Sequence, residues 1–148
     1  MAGGRFATSI SCMDGRIQTV LNDWIRKNYG VDYVDTITAP GVDGRVARND
    51  DLGKIIQMAR ISVEKHGSRL IVVSGHHDCA GNPVSEEEHK GHIRSAVSVI
   101  GAWEGEHGLA GGAGGNGGGG NGGGGNGGGR IEVAGIWVGE TWSAQRIA

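Results

Sequence analysis

Both cysteines of the chain lie at or near the end of a run of residues that favours a β-strand. Cys12 ends the run that starts at residue 6, while His76 and Cys79 follow the apolar run 70–73. Two thiolates and one imidazole favour zinc over magnesium or calcium, and such a set with an open fourth position is a catalytic zinc arrangement. If the two strands are neighbours in a parallel sheet, the three side chains meet at its carboxyl edge. The sequence therefore predicts a zinc site there.

Asp14 and Arg16 lie in the turn beside Cys12, where they are candidates to control the open position on the metal. The Asp14 carboxylate could itself occupy that fourth position. Alternatively, a bidentate pair with Arg16 would hold the carboxylate away and leave the position to water. Zinc lowers the pKa of a bound water towards about 7, which provides a hydroxide nucleophile at neutral pH. Both alternatives make this pair a candidate gate on the metal.

Strand and helix signals alternate along the chain in the order β-α-β-α-β-α-β. The predicted strands cover residues 6–12, 33–38, 70–73 and 131–138. Between them, apolar residues at helical spacing predict three helices, and Ser85 with Glu88 forms a capping box at the start of the third. This alternation predicts a three-layer α/β fold with a four-stranded, mainly parallel sheet in the order 2-1-3-4 and helices on both faces.

The segment 111–129 consists almost entirely of glycine and asparagine, with Asn-Gly-Gly-Gly-Gly repeated from Asn116. Such a segment cannot bury a core, so we expect a flexible loop without activity of its own. A helix-to-strand connection normally needs only about 2–6 residues. We therefore predict a single domain over residues 1–148 that contains this loop.

Composition argues against several kinds of partner. The chain has 14 Lys and Arg against 16 Asp and Glu, and no basic stripe interleaved with aromatic residues indicates nucleic-acid binding. No apolar run approaches the roughly 18 residues of a membrane span.

Without a recognisable secretory signal, and with cysteines suited to a reducing compartment, the protein is expected to be cytoplasmic. A small domain with an open sheet edge gains by pairing, so we expect a homodimer or a higher homo-oligomer.

The motif Cys-x-Asp-x-Arg that begins at Cys12, followed by Gly-His-x-x-Cys that ends at Cys79, resembles the paired signature of the β-class carbonic anhydrases. The resemblance covers residue 6 to about residue 100 and the last strand. It implies that Cys12, His76 and Cys79 bind zinc and that Asp14 and Arg16 form the catalytic dyad. The implied reaction is attack of zinc hydroxide on carbon dioxide, which gives bicarbonate and a proton.

The chain departs from the pattern of this family after its second strand. The family usually has Arg-Asn-Ala-Gly-Asn there, whereas this chain has Ala-Pro-Gly-Val-Asp-Gly from Ala39 to Gly44. Because of this difference, an alternative substrate remains open: the same hydroxide could attack a related small electrophile, such as carbonyl sulfide or carbon disulfide.

Other interpretations of the same residues also remain open. A buried cysteine at a strand end is usually only a small apolar residue, and a disulfide between Cys12 and Cys79 is a further alternative. A closed zinc-binding module without catalysis would use Asp14 as its fourth ligand. A phosphatase-like role for Cys12 needs an arginine where Ile17 and Gln18 stand, and a nucleotide-binding module needs a richer glycine loop after the first strand.

The remaining histidines and tryptophans have simpler explanations. His77 is expected to be an exposed turn residue, with a proton relay as the alternative. His89 and His92 are spaced to form a second metal pair, although the acidic run that begins at Glu86 favours a solvated helix face. Trp142 is expected to pack or to contact a partner subunit.

Overall fold

A computed structural model describes residues 3–109 and 130–148, whose strands form one sheet. The strands are β1 (Phe6–Ser11), β2 (Tyr33–Thr38), β3 (Leu70–His76), β4 (Glu132–Val138) and β5 (Ala144–Arg146). The helices are α1 (Gln18–Tyr29), α2 (Val42–Ala47), α3 (Gly53–His66), α4 (Glu86–Gly101) and α5 (Trp103–His107). The loop predicted at 111–129 lies outside the described residues.

The sheet has the strand order β2-β1-β3-β4-β5, in which β2, β1, β3 and β4 run parallel and β5 is antiparallel to β4. The predicted α/β class, the mainly parallel sheet and the order 2-1-3-4 are thereby confirmed. The predicted strand count was wrong, because the sheet formed by the described residues has five strands rather than four. The sequence of β5 shows no apolar alternation that would predict a strand. A turn brings β5 back alongside β4, and in this turn the Gly139 amide donates to the Ser143 carbonyl at 3.2 Å.

Helices cover both faces of the sheet, as predicted for three layers. β3 is buried along its whole length because it lies between β1 and β4. Its Val72 belongs to an apolar cluster with Leu21 of α1 on one face. Its Ile71 belongs to a second cluster with Ala59 of α3 and Ile100 of α4 on the other. Apolar side chains of the helices therefore cover both faces of the sheet.

The helix ends follow the local signals in the sequence. Gly30 and Gly67 end α1 and α3 in the left-handed conformation, at φ 64° and 73°, which glycine adopts without a steric penalty. Ser85 caps α4 by accepting a hydrogen bond from the Glu88 amide at 3.2 Å. Among the helices that the structure describes, none is both long and apolar enough to cross a membrane.

The helix α2 has no counterpart in the sequence-based prediction. It begins directly after Gly41, whose φ of 55° turns the chain, and it buries Val42 and Val46. Six residues with an internal glycine carry no readable helical period, so the helix depends on tertiary packing, most extensively against α4. This short helix brings the stretch that departs from the β-class pattern against the candidate site.

Candidate metal centre

Three side chains converge where β1 and β3 end side by side. Cys12 directly follows β1, His76 is the last residue of β3, and Cys79 lies in the turn after it. All three are buried, with exposed fractions of 6%, 0% and 4% respectively. Because β1 and β3 are parallel neighbours, their carboxyl ends deliver these side chains to one place.

The spacing of the ligand atoms suits a single metal ion. Within residues 3–109 and 130–148, one nitrogen of His76 and the sulfurs of Cys12 and Cys79 all lie within 4.8 Å of one another. The two sulfurs are 3.9 Å apart and both cysteines are free. Zinc–sulfur bonds of about 2.3 Å in a tetrahedron separate two sulfurs by about 3.8 Å. The arrangement therefore fits zinc closely without a disulfide.

The ring of His76 is oriented as a metal ligand requires. Its Nδ1 lies 2.8 Å from the carbonyl oxygen of His77, which can only accept, so Nδ1 carries the proton and Nε2 keeps its lone pair. Nε2 is buried and has no hydrogen-bond partner among the described residues. A buried nitrogen left unpaired is unfavourable, and a metal ion would satisfy it.

Backbone amides lie beside both cysteine ligands. The Gly41 amide donates to the Cys12 sulfur at 3.4 Å, and the Asn82 amide donates to the Cys79 carbonyl oxygen at 3.4 Å. Burial raises the pKa of the Cys79 thiol to about 11, and the nearby Cys12 adds to this rise. Backbone hydrogen bonding from Asn82 and Gly81 opposes the rise in the pKa, because it stabilises the thiolate. A cation would supply the positive charge that two buried thiolates need.

Asp14 and Arg16 form a bidentate ion pair beside this cluster. Arg16 Nη2 and Nε lie 2.7 Å from Oδ2 and 3.0 Å from Oδ1 of Asp14, and the Arg16 amide donates to Oδ1 at 2.9 Å. These hydrogen bonds lower the pKa of Asp14 to about 2. Asp14 Oδ2 is 3.9 Å from His76 Nε2, so the carboxylate borders the three ligands while both of its oxygens stay bound to Arg16.

Two further residues hold Arg16, and the sequence-based prediction missed their roles. Asp78 accepts from Arg16 through its side chain at 3.1 Å and through its carbonyl at 3.0 Å. The guanidinium carbon lies 4.6 Å from the centre of the Trp142 ring, a cation–π distance. Asp78 stands between two candidate ligands in the sequence, and Trp142 follows β4 at the same sheet edge. These positions in the sequence were the signals from which the roles of Asp78 and Trp142 could have been predicted.

Comparison with known proteins agrees with this geometry. Residues 2–111 match the model of a protein family described as "Putative carbonic anhydrase". The chain belongs to this family. Comparison with curated proteins gives no match.

Solved structures of carbonic anhydrases share the fold. The carbonic anhydrase from Streptococcus mutans aligns with a TM-score of 0.57 at 14% identity, over 95% of this chain and 81% of that one. The β-carbonic anhydrase isoform I from Trichomonas vaginalis aligns with a TM-score of 0.55 at 15% identity, with the same coverage. The β-carbonic anhydrase CafA of Aspergillus fumigatus aligns with a TM-score of 0.50 at 13% identity, over 98% of this chain and 76% of that one. The chain is a divergent member with the β-carbonic anhydrase fold, as its paired motif predicted.

Three further histidines of this carbonic anhydrase-like chain are not among the three candidate ligands. His77 is an exposed turn residue whose amide donates to the Val138 carbonyl at 2.8 Å. His89 is not on a solvated face, because it is 1% exposed and its Nδ1 lies 2.6 Å from Asp43 Oδ2. His92 accepts from Asn82 at 3.0 Å. His89 and His92 belong to no cluster of three metal-ligating groups in the described part of the chain. The second metal pair is therefore not supported.

Proposed function

We propose that the chain is a zinc-dependent carbonic anhydrase that interconverts carbon dioxide and bicarbonate. One observation carries the proposal: the donor atoms of Cys12, His76 and Cys79 converge within 4.8 Å, while Asp14 is bound to Arg16 beside them. Membership of the carbonic anhydrase family supports the same chemistry.

Each side chain has a definable role in this activity. Cys12, His76 and Cys79 would hold the metal, since their sulfurs and the unprotonated Nε2 are donors that zinc prefers. A zinc ion held there would lower the pKa of a bound water towards about 7 and so supply a nucleophile at neutral pH. Arg16 restrains Asp14, which keeps the carboxylate from becoming a fourth ligand and so keeps the site open.

Asp14 acts in this proposal as a hydrogen-bond acceptor that orients the reacting group, not as a base. Hydrogen bonds from Arg16 lower its pKa to about 2, so it stays ionised at neutral pH and binds a proton too weakly to remove one from the site. The proton released on hydration must therefore leave by another route. A relay through the exposed His77 is the alternative to its predicted place as a simple turn residue, and unchanged proton-transfer rates in His77→Ala would remove that alternative.

We also propose that the enzyme acts as a homodimer in the cytoplasm. β2 is an edge strand of the described sheet, and Tyr33 at its start is 50% exposed. An open edge of this kind is suited to pairing with a second copy. The ligands Cys12 and Cys79 must stay reduced to bind metal, which a reducing compartment ensures. Light scattering on the purified protein tests the dimer, and a monomeric mass would contradict it.

The decisive experiment measures zinc content and carbon dioxide hydration on the wild type, on Cys79→Ala and on Ser74→Ala. Ser74 is a matched control, because it is equally buried and lies on β3 near the site but is not a ligand. We expect one zinc per chain and hydration in the wild type and in Ser74→Ala, with loss of both in Cys79→Ala.

The alternative results are informative in different ways. One zinc without hydration would direct the search to carbonyl sulfide or carbon disulfide, or to a closed site that includes Asp14. No zinc in wild-type protein purified under reducing conditions would overturn the proposal.

A further inference from the structure

Asp43, in the first turn of α2, is a buried carboxylate outside the ligand set. It is 1% exposed and lies in the stretch that departs from the β-class pattern. We propose that Asp43 is a positioning residue, which holds the elements that carry the metal ligands through Asn82. This inference rests on the proposed metal binding at Cys12, His76 and Cys79.

Both oxygens of Asp43 are used by residues from other elements. Oδ2 lies 2.6 Å from His89 Nδ1 on α4, and Oδ1 accepts from Asn82 Nδ2 at 3.1 Å. Asn82 Nδ2 also lies 3.0 Å from His92 Nδ1, to which it donates its second hydrogen. The Asn82 side chain is therefore held from two sides in a buried network, which fixes its position.

Asn82 in turn lies in the loop that carries Cys79. Its backbone amide donates to the Cys79 carbonyl oxygen at 3.4 Å, which closes the turn that carries this ligand. A shift of Asn82 would therefore move the Cys79 turn and displace the sulfur from the place where it meets the other two ligands. Asp43 contacts this turn through the Asn82 side chain, which makes its role one of positioning.

The stretch that carries Asp43 is also packed against the elements of the other two ligands. The amide of Gly41, immediately before α2, donates to the Cys12 sulfur. A Cβ on Gly81 would lie 2.6 Å from Gly41 N, so the two loops cross in backbone contact. A Cβ on Gly75, which precedes His76, would lie 2.5 Å from Asp43 Oδ2. The Asp43 carboxylate thus lies against the strand that ends in His76, and its helix begins directly after the residue that donates to Cys12.

The test compares zinc affinity in Asp43→Ala, Asn82→Ala, the double variant and Asp43→Asn. Affinity is measured by competition with a chromophoric chelator, and cobalt-substituted protein reports ligand geometry through its d–d and sulfur-to-cobalt bands. Asp35→Ala is the matched control. It also breaks an aspartate–histidine pair, in which Asp35 Oδ2 lies 2.7 Å from His66 Nδ1, but this pair does not contact Asn82 or the loops that carry the ligands.

We expect Asp43→Ala and Asn82→Ala each to weaken zinc binding by about 10- to 100-fold and to shift the cobalt bands. The double variant should bind zinc about as tightly as the single variant with the lower affinity, because both substitutions remove the same linkage. Asp43→Asn should bind zinc within a few-fold of the wild type, because its side-chain oxygen can still accept from Asn82. Asp35→Ala should leave affinity and spectrum unchanged.

Wild-type affinity and cobalt bands in Asn82→Ala, or losses that simply add in the double variant, would overturn the inference. If Asp43→Ala fails to fold, Asn82→Ala and Asp43→Asn decide the question by the same readouts. Absence of zinc from the wild type would instead refute the metal centre itself, so the two failures are distinguishable.

Discussion

Arg16 and Asp14 are joined by a two-point contact, in which the guanidinium donates to both carboxylate oxygens at 2.7 Å and 3.0 Å. The same guanidinium is held from the other side by Asp78 and from its face by Trp142. Arg16 is therefore fixed by three residues, and the position of Asp14 beside the metal ligands depends on it.

Arg16→Lys is expected to impair hydration without removing the metal. Lysine cannot form the two-point contact, so Asp14 would gain freedom to move towards the metal ligands. Because small misplacements of catalytic groups are costly, we expect kcat/KM to fall by about 100-fold at unchanged zinc content. Stopped-flow hydration assays test this, with Arg26→Lys as a control in an exposed ion pair on α1. Full activity in Arg16→Lys would contradict the proposed role.

The Asp14–Arg16 pair should contribute to stability in a defined pH range. The pKa of Asp14 is lowered from 3.8 to about 2 in the folded protein, so its stabilising effect is complete above about pH 4 and is lost as pH falls through 2. The difference in free energy of unfolding between apo wild type and apo Asp14→Asn should therefore narrow from pH 5 to pH 2. Urea denaturation at several pH values measures it. If the difference in free energy of unfolding stayed constant with pH, protonation of Asp14 would not be linked to stability.

Zinc binding should release protons and weaken as pH falls. The Cys79 thiol has a pKa raised to about 11 by burial, so the metal-free protein carries this proton throughout the neutral range and loses it on binding. We expect affinity to fall at least about tenfold for each pH unit lowered between 8 and 6. Calorimetry in buffers of different ionisation enthalpy counts the protons. Binding at pH 7.5 without proton release would disprove thiolate ligation.

Trp142→Ala is expected to loosen Arg16 moderately. A cation–π contact at a partly exposed site contributes about 0.5–1 kcal/mol, which corresponds to a loss of about 2- to 5-fold in kcat/KM. Trp142→Phe keeps an aromatic face and should lose less. If both variants match the wild type in hydration assays, Trp142 has only a packing role.

Gly75→Ala is expected to destabilise the protein because the added methyl group would meet the Asp43 carboxylate at 2.5 Å. Overpacking of a rigid interior costs about 1–3 kcal/mol. Gly91→Ala on α4 is the control, since a Cβ there meets nothing within 4 Å and alanine favours a helix. Thermal denaturation should give a lower Tm for Gly75→Ala and an equal or higher Tm for Gly91→Ala. Equal Tm values for Gly75→Ala and the wild type would contradict the close contact.

The sequence by itself determined the features that follow from local pattern and strand order. Alternating strand and helix signals predicted the parallel sheet, and the capping pattern at Ser85 predicted the start of α4. Cys12 and His76 stand at strand ends, so their approach follows from the neighbouring places of β1 and β3 in the sheet. These predictions succeeded because each depends on short-range periodicity and on the fixed geometry of parallel strands.

Only the tertiary structure decided the features that depend on long-range contacts. β5 and α2 are too short to carry a period, and they form because β4 and α4 provide surfaces for them. His89 follows an acidic run that favours exposure, yet it is buried because Asp43 comes to it from another helix. The pairing of residues distant in the chain depends on how the packed layers approach one another, and no local pattern encodes that approach.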